Sequence, residues 1–142
     1  MMIACDFCDI ETLRDAEVFL ENESCVYAAN GFSTPDVLPG SGIIVPREHR
    51  QSPFELTETE WTCTRMLLLQ ARRETDRRLS PDGYNLGWNF GSAAGQQVAH
   101  VHLHVIPRFA DELHAGRGIR WWLKQPENRR LDPTQRGGGS LS

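Results

Sequence analysis

No apolar run in this chain is longer than five residues (Met1–Cys5 and Cys25–Ala29), whereas a bilayer-spanning helix needs about 20. An excess of basic charge is also missing. The 142 residues hold 15 Lys and Arg against 19 Asp and Glu, a net charge of −4. A general DNA or RNA binder normally carries a basic surface, so this balance argues against one. The chain shows no internal repeat, and its first residues (Met1, Met2, Ile3, Ala4) are too short and uncharged for a secretion signal. With only four cysteines and no such signal, reduced thiols or a metal site are expected rather than a disulfide framework. These absences imply one soluble, cytoplasmic domain over residues 1–136. The Gly/Ser tail 137–142 lacks the apolar content to pack and is expected to be flexible.

Turn chemistry divides the rest. Glu21-Asn22-Glu23-Ser24, Asn30-Gly31, Pro35-Asp36, Pro39-Gly40 and Ser80-Pro81-Asp82-Gly83 punctuate short apolar stretches. Strands are expected near 18–20, 25–29, 42–45, 84–90 and 100–106. Between the third and fourth lies one long helical segment. Thr57-x-x-Glu60 reads as a capping box, and Leu56 stands where it could staple onto Trp61. Trp61, Thr64, Leu68, Ala71, Thr75 and Leu79 form a stripe at helical spacing, and Pro81 ends the helix near Leu79. The order implies an α+β domain, an antiparallel sheet with the long helix on one face. Trp121, Trp122 and Leu123 are the main apolar residues after Pro107 and read as packing over the edge of the core.

Three of the five histidines fall within five residues, in His100-Val101-His102-Leu103-His104. Period-two alternation in a strand puts these imidazoles on one face and Val101, Leu103 and Val105 on the other. Two chemistries use such a row. Imidazoles at i and i+2 can ligate zinc. Alternatively, one neutral imidazole is a nucleophile while its neighbours donate to an anionic substrate. The segment upstream, Asn89 to Val98, is rich in small residues whose N–H groups can approach a phosphate, and it adds amide side chains.

Asn89-x4-Ala94-x-Gln96-x-Val98-x-His100-Val101-His102-Leu103-His104-Val105-Ile106-Pro107 closely resembles the signature of the histidine triad (HIT) superfamily. Cys5-x-x-Cys8 and Gly42-Ile43-Ile44-Val45-Pro46-Arg47-Glu48-His49 fall in that family's order, so the resemblance covers most of the chain. It implies an α+β homodimer whose sheets join across the interface. It also implies a nucleotide hydrolase or transferase acting at the α-phosphate. By position, His102 would be the nucleophile, passing through a covalent nucleotidyl-histidine, and His104 would hold a nonbridging oxygen. Asn89 and Gln96 would belong to the phosphate side. Dinucleoside polyphosphates suit the branch in which the triad is followed by Pro-Arg, here Pro107-Arg108, with Arg108 meeting the extra phosphates. Nucleoside phosphoramidates suit the branch with a Gly-rich end.

The resemblance extends to a structural zinc. Family members with the N-terminal cysteine pair complete the site with two histidines, here His49 and His100, beside Cys5 and Cys8. A redox pair and an unmetallated pair of thiols are the competing readings of Cys5-x-x-Cys8. The sequence departs from the family at three places. Ser41 replaces a supporting histidine, and Gln97 stands where Ser or Thr is usual near the phosphate. The loop 30–36 is lengthened, leaving Asn30 or Ser33 to contact a ribose. His114 lies outside every pattern and should face solvent. A non-catalytic nucleotide- or zinc-binding module remains as a second class, and a hydrolase with zinc on the three histidines themselves as a third.

Overall fold

The computed structural model describes residues 5–33 and 37–135, so the Gly/Ser tail lies outside the described residues. Five strands, β1 (Val18–Glu21), β2 (Cys25–Ala29), β3 (Gly42–Pro46), β4 (Gly83–Trp88) and β5 (Leu103–Arg108), form one antiparallel sheet in the order β1-β2-β3-β5-β4. The short helix α1 (Ile10–Arg14) precedes the sheet, α2 (Glu58–Leu79) joins β3 to β4, and α3 (Ile119–Leu123) follows β5. None of the helices is long and apolar enough to cross a membrane.

Helix α2 starts where its sequence says it should. The Thr57 side chain accepts from the Glu60 amide at 3.1 Å, and Glu60 Oε1 accepts from the Thr57 amide at 2.8 Å. This capping box satisfies two donors that no helical carbonyl can reach. At the other end Ser80 turns left-handed, with φ 48°, before Pro81. The buried side of α2 is rotated from the expected stripe: Cys63, Thr64, Leu67, Ala71 and Thr75 are buried. Trp61 is 44% exposed instead. Its ring packs edge-on against Trp88 at 5.4 Å.

Register assigns the two faces of the sheet. Cys25, Tyr27, Ala29, Ile44, Leu103 and Val105 alternate onto the side of α2 and make the core with Cys63, Leu67 and Ala71. Ala28, Ile43 and His104 are successive cross-strand partners and therefore share the opposite face. Gly42 sits at the tightest point of the core side. A Cβ there would lie 2.6 Å from Ala29 Cβ, 2.6 Å from Tyr27 Cε2 and 2.8 Å from the Ala28 carbonyl oxygen.

Strand β5 begins at Leu103, three residues later than expected. The Val101 amide donates to the Arg50 carbonyl at 2.7 Å, outside the sheet ladder. The first two histidines of the row are therefore held by the chain after β3. The fourth strand is likewise shorter than expected, which leaves Asn89 and Phe90 on the connection beyond it.

Candidate active site and metal centre

The row of histidines divides by environment. His100 is completely buried, His102 is buried, and His104 is half-buried on the sheet face away from α2. The His102 and His104 rings meet edge-on at 4.8 Å. Phe7, between the two N-terminal cysteines, closes over the row with its ring 5.0 Å from that of His102. His102 Nδ1–H donates to the His100 carbonyl at 2.8 Å. That bond fixes the tautomer and leaves Nε2 with a free lone pair. Nε2 of His104 is buried and without a hydrogen-bond partner among the described residues. Burial, and then the charge of His102, lower the His104 pKa, so the ring is neutral at pH 7. His102 Nε2 thus stands beside a ring nitrogen that has no hydrogen-bond partner among the described residues.

His100 faces a different group. Its Nδ1 lies 3.4 Å from both Cys5 Sγ and Cys8 Sγ, and His49 Nδ1 lies 3.3 Å from Cys8 Sγ. One ligand atom from each of the four residues falls within 4.8 Å of the others. Around tetrahedral zinc, sulfur and nitrogen ligands are separated by about 3.6 Å, so two thiolates and two imidazoles so placed fit such an ion. His100 Nε2–H donates to the Pro46 carbonyl at 2.8 Å, which orients Nδ1 toward the sulfurs. The other cysteines do not join this group: Cys25 and Cys63 are buried in the core, where burial pushes the Cys25 thiol up to about 11.

On the His104 face a cavity of about 390 Å³ lies between α1 and the sheet. Asn30 and Ser41 both line it, together with Thr12, Leu13, Ala28 and Ile43. Asn30 Oδ1 accepts from the Glu17 amide at 3.1 Å, so its Nδ2 is the end left to donate. Ser33 is not among the cavity's residues. Its amide and hydroxyl bond the Glu17 carboxylate at 2.9 and 2.7 Å. These bonds, with one from Gly31, hold the Glu17 pKa below the usual carboxylate range.

The residues expected on the phosphate side are placed unequally. Asn89 is exposed and reaches toward Gly95 across its loop. Gln97 is exposed and makes no side-chain hydrogen bond among the described residues. Gln96 is already engaged at both ends. Its Oε1 accepts from the Gly91 amide and its Nε2 donates to the Gln51 carbonyl, each at 2.9 Å. Arg108, expected to meet extra phosphates, is likewise engaged within the chain. Its guanidinium donates to Glu112, to Asn85 Oδ1 and to the carbonyls of Arg117 and His114. It pins the segment after β5. His114 is exposed as expected and packs edge-on to Trp122, while Arg117 lies over the Trp121 ring at 4.3 Å. Phe7 and the α1 lining of the cavity were not foreseen. The signal was present for Phe7, since any metal on Cys5, Cys8 and His100 brings it to the row.

The HIT domain family model matches residues 11–111, which include β1 to β5 and α2. The chain belongs to the HIT family. A HIT-like protein of Mycoplasma genitalium is 27% identical over 130 residues, spanning 91% of this chain and 87% of the relative. An adenosine 5′-monophosphoramidase of Schizosaccharomyces pombe is 33% identical, spanning 61% of this chain and 62% of its own. A bis(5′-adenosyl)-triphosphatase of Dictyostelium discoideum is 29% identical, spanning 68% and 62%. Among solved structures, a HIT family protein of Bacillus anthracis superposes with a TM-score of 0.61 at 28% identity, covering 75% of this chain and 74% of that one. The antiparallel sheet with one long helix is thus the HIT fold, as the resemblance implied.

Proposed function

We propose that this HIT protein hydrolyses nucleotide derivatives at the α-phosphate through a covalent intermediate on His102. The observation that carries this reading is the arrangement of the row: His102 Nδ1–H is committed to the His100 carbonyl, and beside it buried His104 Nε2 has no hydrogen-bond partner among the described residues. His102 Nε2 attacks the α-phosphorus, forming a P–N bond as the bond to the leaving group breaks with its electron pair. Water then attacks the same phosphorus, the P–N bond breaks, and the nucleoside monophosphate leaves. One hard displacement becomes two easier ones. His104 Nε2–H donates to a nonbridging oxygen where charge accumulates. Asn89 and Gln97, free to move, would meet the phosphate side, and Asn30 and Ser41 the nucleoside in the α1 cavity.

Dinucleoside polyphosphates are the substrate class proposed first, on the likeness to the Dictyostelium triphosphatase. Nucleoside phosphoramidates are the second reading, favoured by the engagement of Arg108, which withdraws it from extra phosphates. Cys5, Cys8, His49 and His100 are proposed to hold a structural zinc that ties the N-terminus to the row and takes no part in the chemistry. The homodimer is proposed to join sheets through β4, which is an edge strand and exposes Leu86 by 42%.

Incubation with diadenosine triphosphate labelled at an α-phosphate, followed by an alkaline quench, tests this. Label should remain covalently on the wild type and be absent from His102→Asn, with turnover lost and the fold kept. Near-normal turnover in the folded variant would remove His102 as nucleophile. Absence of label and turnover on both substrate classes would favour a binding module.

A further inference from the structure

His102 is not held by the sheet. Strand β5 starts at Leu103, so residues 100–102 have no ladder of their own. They rest instead on carbonyls at the end of β3 and in the short segment after it. Pro46 accepts from His100 Nε2 at 2.8 Å, and Arg50 accepts from the Val101 amide at 2.7 Å. Gln51, next along, accepts from Gln96 Nε2 at 2.9 Å and so fixes the loop leading into the row. Because His100 in turn supplies the carbonyl for His102 Nδ1–H, a shift of residues 46–51 moves the nucleophile.

That segment is itself anchored by a buried charge. The Glu60 side chain is only 5% exposed, and Arg50 Nε donates to its two oxygens at 3.1 and 3.3 Å. Capping of α2 does not require this ion pair. A capping box needs one acceptor at this position, which Gln supplies as well as Glu. Oε1 takes both the Thr57 amide and the shorter Arg50 bond, while Oε2 and the negative charge serve Arg50 alone, whose own carbonyl holds Val101 between the two histidines. We infer that Arg50 and Glu60 are positioning residues for His102, transmitting the fixed start of α2 to the nucleophile through the Arg50 carbonyl. The inference deepens the proposed function and rests on His102 being the nucleophile.

Glu60→Gln separates the two roles, since it keeps the cap and removes the charge. Two readouts are needed on the full-length protein. The first is kcat and KM with diadenosine triphosphate. The second is the imidazole N–H proton resonance of His102, assigned by its loss in His102→Asn. In Glu60→Gln, kcat should fall about tenfold, within the ~10²-fold that misplacement by about 1 Å can cost, with KM changed less than about twofold. The His102 N–H should exchange faster with solvent. Thr57→Ala is the control: it weakens the cap without touching Arg50 and should lower stability while leaving kcat and the resonance unchanged. The inference is overturned if Glu60→Gln leaves the resonance and kcat unaltered, or if Thr57→Ala reproduces both losses. If the wild type does not turn over at all, the hydrolase reading fails, and the resonance alone still decides whether the ion pair positions His102.

Discussion

Gly42 offers a direct test of the register that places His104. It pairs with Val105, and its neighbour Ile43 pairs with His104 itself. Gly42→Ala puts a methyl within 2.6 Å of Ala29 Cβ and of the Tyr27 ring, and within 2.8 Å of the Ala28 carbonyl. Two of these neighbours are backbone or attached to it directly, and the Tyr27 ring is completely buried. None can rotate away cheaply, so β2 and β3 must spread. Overpacking of this kind costs about 1–3 kcal/mol. In a domain of this size that lowers the melting temperature by roughly 3–10 °C. Thermal unfolding followed by circular dichroism reads the loss. Ala29→Gly removes one of the three contacts, so the double variant should be more stable than the two single losses summed. An unchanged melting temperature in Gly42→Ala would refute the close pairing of β2 with β3, and with it the neighbourhood assigned to His104.

Metal analysis of the protein, purified without chelator, should find about one zinc per chain, and Cys8→Ser should lose it. A zinc-free protein with full activity would contradict the structural-zinc proposal. Leu67→Ala, at the centre of the core and completely buried, should cost about 2–5 kcal/mol in denaturant unfolding. Stability should also fall as pH drops below about 6.5, because His104 has a lowered pKa when folded. The unfolded chain then binds more protons than the native one, so the contribution is full above about 6.5 and is lost through the window down to the folded value. Urea midpoints at pH 7.5 and 5.5 check this. A higher midpoint at 5.5 would contradict the burial of the His104 ring.

Much of the fold was legible locally. The capping box and the turn residues act over four residues or fewer, and the structure places β1, β2, β3 and α2 close to their expected bounds. The rotation of the α2 stripe was not legible. Helical spacing admits Trp61 and Cys63 to neighbouring faces, and only the sheet underneath decides that Cys63 and Leu67 enter the core. The late start of β5 escaped for a similar reason. Alternation continues through His100 and His102, but the partner of Val101 is Arg50, outside any ladder.

The charge balance also has a regional meaning. Residues 1–64 carry 3 basic and 12 acidic groups, and residues 65–142 carry 12 and 7. The row therefore lies in the less acidic half, which suits an anionic ligand. Not all of the arginines there are free, however. Arg77 and Arg78 pair with Glu74, and Arg108 is spent on the segment after β5.

By itself the sequence determined the chemical cast: three imidazoles in alternation, a cysteine pair, and a phosphate-friendly loop before them. Residue type and short-range spacing suffice for that, because strand alternation and helix capping are set by neighbouring bonds. Tertiary structure decided how the cast divides. His100 meets sulfurs 92 and 95 residues away, while its carbonyl accepts from His102 Nδ1–H and fixes that ring's tautomer. Gln96 and Arg108, chemically able to bind phosphate, were instead drawn into closing loops. Such choices depend on which groups packing brings within hydrogen-bond reach, and no local pattern contains that distance.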